Sequence, residues 1–178
     1  MPRKKFRVML DLETMGNRST SAIIAIGAVR FSVALGIEDE FYKVIDLNSS
    51  MCSGCSVDAD TIMWWMRQSH DARKQFRVGN TPLVDALKEF TSWINWNSEV
   101  WGNGSDFDNV ILANAFHQCN LKQPWPFYHN RCYRTMKNMF PEIVMKRKGT
   151  YHNAVDDARS QADHLLRILA YMKGEDDA

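Results

Sequence analysis

The sequence predicts an α/β fold, a mixed sheet covered by helices. Two observations carry this. Three apolar, β-rich segments lie in the first 47 residues, and after them helix-periodic segments are interleaved with two more short strands. Composition sets the frame: 45% apolar and 24% charged residues are ordinary globular usage, and no repeat, low-complexity tract or Pro/Gly-rich linker divides the chain. A length of 178 residues is expected to form a single domain over 1–178.

The first strand is predicted at Phe6 to Leu12, where Val8, Met9 and Leu10 run into a polar cluster. The second covers Ser21 to Val33, with Gly27 at a bulge or a close approach. The third is Phe41 to Leu47, and hairpin-like connections join the three as an antiparallel meander. A helix is expected from Val57 to Gln68, with Ile62, Trp65 and Met66 at helical spacing. A short one follows from Asp71 to Phe76, capped by Ser69. Pro82 to Trp96 places Leu83, Ala86, Leu87, Phe90, Trp93 and Ile94 on one face, with Thr81 as cap and Pro82 at the first helical position. Glu99 to Gly102 reads as a short strand, Asp106 or Phe107 to Cys119 as a helix, and Phe127 to Cys132 as the last strand. The final helix runs from Asn153 to Lys173, with Ala154, Ala158, Ala162, Leu165, Leu169 and Met172 on its buried stripe.

Several classes are excluded on arithmetic. The longest apolar run, Ala22 to Val29, is eight residues; a membrane helix needs about 20. The basic amino end (Arg3, Lys4, Lys5, Arg7) is followed by an apolar stretch that Asp11 cuts too short for a signal peptide. A cytoplasmic protein without membrane partners is therefore expected. Cys52 and Cys55 have zinc-knuckle spacing, but Cys119 and Cys132 form no second close pair, so reduced, unligated thiols are the reading preferred.

Three segments carry chemistry. Asp11-Leu12-Glu13 ends the first strand, and alternation puts both carboxylates on one side of it. Asn103-Gly104-Ser105-Asp106-Phe107-Asp108 joins a short strand to a helix. His152 precedes a helix whose early turns hold Asp157, with Asn153 as its cap. Each lies at a strand end or helix start, where α/β sites are built. Four converging carboxylates repel one another unless divalent cations lie between them, and hard oxygen donors select Mg²⁺ or Mn²⁺. Two such ions about 4 Å apart suit in-line attack at phosphorus. A neutral imidazole is suited to taking the proton of the attacking water.

In their order and spacing these motifs resemble the DEDD exonuclease superfamily, in its His-containing DEDDh (DnaQ-like) branch. Asp11-Leu12-Glu13-Thr14 matches the first motif, Asn103 with Phe107-Asp108 the second, and His152-xxxx-Asp157 the third. Thr61-Ile62-Met63-Trp64-Trp65-Met66-Arg67-Gln68-Ser69, followed by Ala72-Arg73, is similar to the phage exonuclease A and Rv2179c-like exoribonuclease group. The resemblance runs from about Arg7 to Tyr171. It implies an RNase H-like fold, a five-stranded mixed sheet flanked by helices. It implies 3′→5′ hydrolysis of phosphodiester bonds at nucleic acid 3′ ends, releasing nucleoside 5′-monophosphates. It further implies Asp11, Glu13, Asp108 and Asp157 as metal ligands, His152 as general base, and Thr14 and Met15 against the terminal nucleotide. Asn103 and Phe107 would shape the same pocket, and Asp108 rather than Asp106 would be the inward acid. Related enzymes are often dimers, so a homodimer is an expectation too.

Of the adjacent tryptophans, Trp65 shares a face with Ile62 and reads as core, which leaves Trp64 as the one to stack a base. Lys146-Arg147-Lys148 reads as a solvated loop or, beside His152, as a phosphate-tracking one. The net charge of +1 argues against a polyanionic partner only as a total. Residues 1–7 carry +4 and residues 122–148 carry +6, so the remainder sums to 1 − 10 = −9, four of which are the metal-binding acids. The expectation is a metal-dependent 3′→5′ exonuclease acting on single-stranded DNA or RNA. The alternatives are a catalytically silent nucleic-acid-binding module on the same fold, and a metal-dependent nucleotidase.

Overall fold

A computed structural model describes residues 6–77 and 81–174. The basic Arg3, Lys4 and Lys5 lie outside the described residues. Five strands form one sheet: β1 Arg7–Thr14, β2 Ile23–Ser32, β3 Gly36–Val44, β4 Glu99–Gly102 and β5 Asn130–Cys132, in the order β3-β2-β1-β4-β5. The first three pair antiparallel, and β4 and β5 pair parallel to β1. That is the arrangement the resemblance implies.

Around the sheet lie helices α1 Leu47–Cys52, α2 Ala59–Met66, α3 His70–Lys74, α4 Leu83–Trp93, α5 Asp108–Gln118, α6 Tyr133–Met139 and α7 Ala154–Tyr171. Single 3₁₀ turns occupy Gln75–Arg77 and Phe127–His129. Val8, Leu10 and Leu12 of β1 pack into a core with Leu87 and Phe90 of α4 and Leu112 and Phe116 of α5. Met9 joins Ala158, Ala162 and Leu165 of α7 on the opposite face. Alternation along β1 thus sends Asp11 and Glu13 to the α7 face, at the end of the strand where the apolar core stops.

Gly27 is where α7 meets the sheet. It pairs with Asp11 across β1 and β2, and a Cβ there would stand 2.1 Å from the Ala154 carbonyl carbon. A side chain would push the start of α7 off the sheet. Asn153 caps that helix, its side-chain oxygen accepting from the Asp156 N–H at 3.2 Å.

Several boundaries differ from those expected. The third strand is Gly36–Val44 rather than Phe41 to Leu47, because the exposed Ile37–Glu40 half pairs through its backbone with β2 and needs no apolar pattern to do so. Only Trp65 is buried on α2, while Ile62 and Met66 are 40% and 63% exposed. Met172, placed on the α7 stripe, is 56% exposed beyond the helix end. Helix α4 begins at Leu83 with Pro82 at its N-cap and no side-chain cap bond; the Leu83 N–H is received instead by Ser49 Oγ at 2.9 Å. The last strand is only Asn130–Cys132, since Phe127–His129 is wound into the 3₁₀ turn. Helices α1 and α6 were not anticipated. No helix among the described residues is long and apolar enough to cross a membrane.

Candidate active site

The three motif segments converge at the ends of β1 and β4. Asp11, Glu13, Asn103, Phe107, Asp108, His152 and Asp157 line one cleft of about 240 Å³. Glu13, His152 and Asp157 offer ligand atoms all within 4.8 Å of one another. Asp108 reaches in from the first residue of α5, where its carboxylate accepts the N–H of Leu12 at 3.1 Å and of Asn103 at 3.0 Å. Asp106 points to solvent and Asp108 is 3% exposed, so Asp108 is the inward acid of its motif.

Thr14 and Met15 lie outside the cleft lining. The Thr14 hydroxyl donates to the Gly16 carbonyl at 2.6 Å, and Met15 packs against the core. Trp65 is buried, its indole N–H donating to the Thr14 carbonyl at 2.9 Å. Trp64 is 40% exposed and stands edge-on to the His152 ring, centroids 4.9 Å apart.

Two lining residues, Gln161 and Arg134, were not anticipated as parts of the site, and a third, Arg147, comes from the basic run read as either solvated or phosphate-tracking. Gln161 donates from Nε2 to Asp11 Oδ1 at 2.7 Å. It follows Asp157 by four residues, so the helical repeat puts both on one face, and that spacing was readable. Arg134, on α6, donates to the Asn103 carbonyl. Arg147 turns inward to pair with Asp157 and lies over the Tyr151 ring at 4.1 Å, while Lys146 and Lys148 on either side face solvent. Asp156 is a loop anchor: it accepts the Thr150 N–H at 2.8 Å and pairs with Arg159.

Crowding governs the electrostatics. Burial, reinforced by the carboxylates of Asp157 and Asp108, pushes Glu13 up to about 8. Burial pushes Asp108 up to about 7 against the opposing pull of its backbone N–H partners. Asp11 stands well above the usual carboxylate range because of burial and the charges of Asp108, Glu13 and Asp157. Asp157 is raised by burial, opposed by Arg147 and His152. Such a cluster holds protons near neutrality unless cations replace them. The donors are mostly hard oxygens, and two further buried cleft oxygens, Asn103 Oδ1 and Gln161 Oε1, have no partner among the described residues. This set fits Mg²⁺ or Mn²⁺. No metal-ligating group of three or more among the described residues includes a cysteine.

A pH dependence of metal binding follows. Because the cluster must lose protons to bind a cation, Mn²⁺ affinity is expected to rise by about tenfold per pH unit for each displaced proton between pH 6 and 8.5. Calorimetric titration at several pH values checks this, and a flat affinity would contradict the protonated cluster.

This sheet and this motif set define a DEDDh-type exonuclease of the RNase H-like fold. A family model described as the 3′-5′ exoribonuclease Rv2179c-like domain matches residues 6–169, and the chain belongs to that family. It is thus a hydrolase with 3′-5′ exonuclease activity. It is 27% identical to an exodeoxyribonuclease of Enterobacteria phage T4, over 97% of this chain and 93% of the phage protein. Among solved structures, S. pombe Pop2p in its Mg²⁺- and Mn²⁺-bound form superposes with a TM-score of 0.64 at 15% identity, over 97% of this chain and 85% of that one. E. coli Exonuclease I in complex with a dA16 oligonucleotide superposes with a TM-score of 0.62 at 13% identity; the match covers 96% of this chain but only 43% of that protein.

Proposed function

We propose that the chain removes nucleoside 5′-monophosphates stepwise from the 3′ ends of single-stranded DNA or RNA, using two divalent ions and His152 as general base. The observation that carries this reading is one cleft holding four crowded carboxylates, with His152 within 4.8 Å of Glu13 and Asp157. Asp11, Glu13, Asp108 and Asp157 would hold Mg²⁺ or Mn²⁺, which supply Lewis acidity toward the attacking water and neutralise charge at the leaving oxygen. His152 takes the proton of the attacking water. Asn103 and Phe107 shape the pocket, and Thr14 and Met15, outside the cleft lining, would meet the terminal nucleotide only from beside it. Trp64, 40% exposed beside His152, is the aromatic side chain on which a base would stack. Arg134 and Arg147 bring positive charge to a cleft that must admit a phosphate.

The single-stranded end is supported by the oligonucleotide bound in Exonuclease I, and the ions by the Mg²⁺ and Mn²⁺ of Pop2p. The relatives divide between deoxyribonuclease and exoribonuclease, so both sugars belong in the test. The four free thiols accord with a cytoplasmic setting. The test is a time course on matched 3′-labelled single- and double-stranded DNA and RNA, in Mg²⁺, in Mn²⁺ and with chelator. Labelled mononucleotide should appear fastest from single-stranded ends and stop with chelator. Tight binding without release would make the chain a silent binding module. Faster attack on a free mononucleotide than on the oligomers would make it a nucleotidase.

A further inference from the structure

His152 adopts φ +59°, a left-handed conformation uncommon outside glycine, although histidine enters it more readily than most residues. It ends an exposed loop, directly after Tyr151, which is 62% exposed. One restraint on its backbone is local, the His152 N–H donating to the Asp157 carboxylate, and a second comes from far away in sequence. Gln75, in the 3₁₀ turn after α3, donates from Nε2 to the His152 carbonyl at 2.5 Å and to the Ala72 carbonyl at 2.6 Å. Its Oε1 accepts from the Tyr42 hydroxyl at 2.8 Å and from Asn153 Nδ2 at 2.9 Å. One amide thereby uses both N–H groups and both lone pairs to join β3, α3 and the turn into α7.

The polarity of this knot is determined throughout. Carbonyl oxygens only accept, so the Gln75 NH₂ must face Ala72 and His152, and its oxygen must face Tyr42 and Asn153. Asn153 Oδ1 is committed to the Asp156 N–H, so its NH₂ must face Gln75. Burial pushes Tyr42 up to about 12, which keeps its O–H as a donor. The imidazole itself packs nearly perpendicular to two indole rings, with Trp64 at 4.9 Å and Trp65 at 6.1 Å between centroids, and Phe76 backs Trp65 at 4.8 Å.

We infer that Gln75 is a positioning residue for His152: its amide clasps the His152 carbonyl and the Asn153 side chain, and so fixes the imidazole over Glu13 and Asp157. The inference rests on the reading of His152 as general base. It assigns a task to the 59–77 segment, which contributes no residue to the cleft lining.

The test compares kcat, KM and calorimetric Mn²⁺ affinity for Gln75→Ala and Gln75→Glu, each alone and combined with His152→Ala. A glutamate keeps the size and the two accepted bonds, but turns a carboxylate oxygen toward two carbonyls. If donation to His152 matters, Gln75→Glu is as impaired as Gln75→Ala. Both should lose about 10–100-fold in kcat, the scale of a small misplacement of a reacting group, with Mn²⁺ affinity and KM within about twofold of wild type. With His152→Ala, adding Gln75→Ala should cost less than about twofold more, because the residue it positions is gone. Wild-type kcat in Gln75→Glu, loss of Mn²⁺ affinity in step with kcat, or multiplied losses in the double variant would each overturn the proposal. Tyr42→Phe, which removes one donor and leaves the Gln75 side chain in place, serves if Gln75→Ala does not fold. It should cost several-fold in kcat, again only when His152 is present, and an unchanged kcat overturns the proposal. A His152→Ala enzyme with wild-type kcat would instead sink the reading of His152 and leave the clasp a structural one.

Discussion

Glu13→Gln is expected to lose roughly 10³-fold or more in nucleotide release, the rate equivalent of several kcal/mol of charge stabilisation supplied through a metal, while the metal-free protein becomes more stable. Both effects have one cause. Glu13 is 7% exposed, and burial together with the charges of Asp157 and Asp108 outweighs the opposing charge of Arg147. Its folded pKa of about 8 lies above the ordinary value of 4.5. The folded state therefore binds more protons than the unfolded state between those values, and stability falls as pH rises through that window. Glutamine removes this penalty. The gain should be under about 1 kcal/mol at pH 5 and roughly 4 kcal/mol at pH 8.5, a rise of about 8–16 °C in melting temperature. Excess Mn²⁺ should reverse the order, because only the wild type gains the full binding free energy. Thermal melts at both pH values, with and without Mn²⁺, check this. A Glu13→Gln protein that is inactive and less stable at pH 8.5 would show that the site is not electrostatically strained. Asp108→Asn makes the contrast: it should also lose activity, without the stabilisation, since an amide NH₂ cannot accept the N–H groups of both Leu12 and Asn103.

The parts of this site that were legible in the sequence are those whose geometry is local. Period-two alternation after an apolar strand is enough to place Asp11 and Glu13 together, and a cap residue before a helix is enough to aim Asp157. Gly27 was readable as a close approach, although only the fold shows that its neighbour is the first residue of α7. Helix α1 carries a local signal in Asp46, which caps it by accepting the N–H groups of Asn48 and Ser49 at 3.2 Å. Helix α6 begins at Tyr133 directly after β5 with no side-chain cap bond, and nothing local announces it. The apolar residues of α2 point outward because the helix lies at the rim and buries only Trp65. What stayed out of reach was the wiring between distant segments. Gln75 meets His152 across 77 positions and Arg134 meets Asn103 across 31, and no spacing rule connects such pairs.

His152→Ala separates two roles that its position leaves to chemistry. The imidazole lies close enough to Glu13 and Asp157 to share an ion with them, yet hard ions of the Mg²⁺ type prefer oxygen, and the cleft supplies four carboxylates without it. As a base, His152 contributes a proton acceptor in the transition state, so its removal should lower kcat by about 10²–10⁴-fold. Mn²⁺ affinity, held by the carboxylates, should stay within a few-fold of wild type. The rate lost should be largest near neutral pH and shrink as the pH is raised, because hydroxide from solution replaces the missing base. As a ligand, its removal would weaken Mn²⁺ binding at least about tenfold, and raising the metal concentration would restore the rate. Calorimetry with Mn²⁺ beside kcat measured across metal concentration and pH distinguishes the two. A variant rescued by added metal would move His152 from proton transfer to the metal shell, and the Gln75 clasp would then fix a ligand rather than a base.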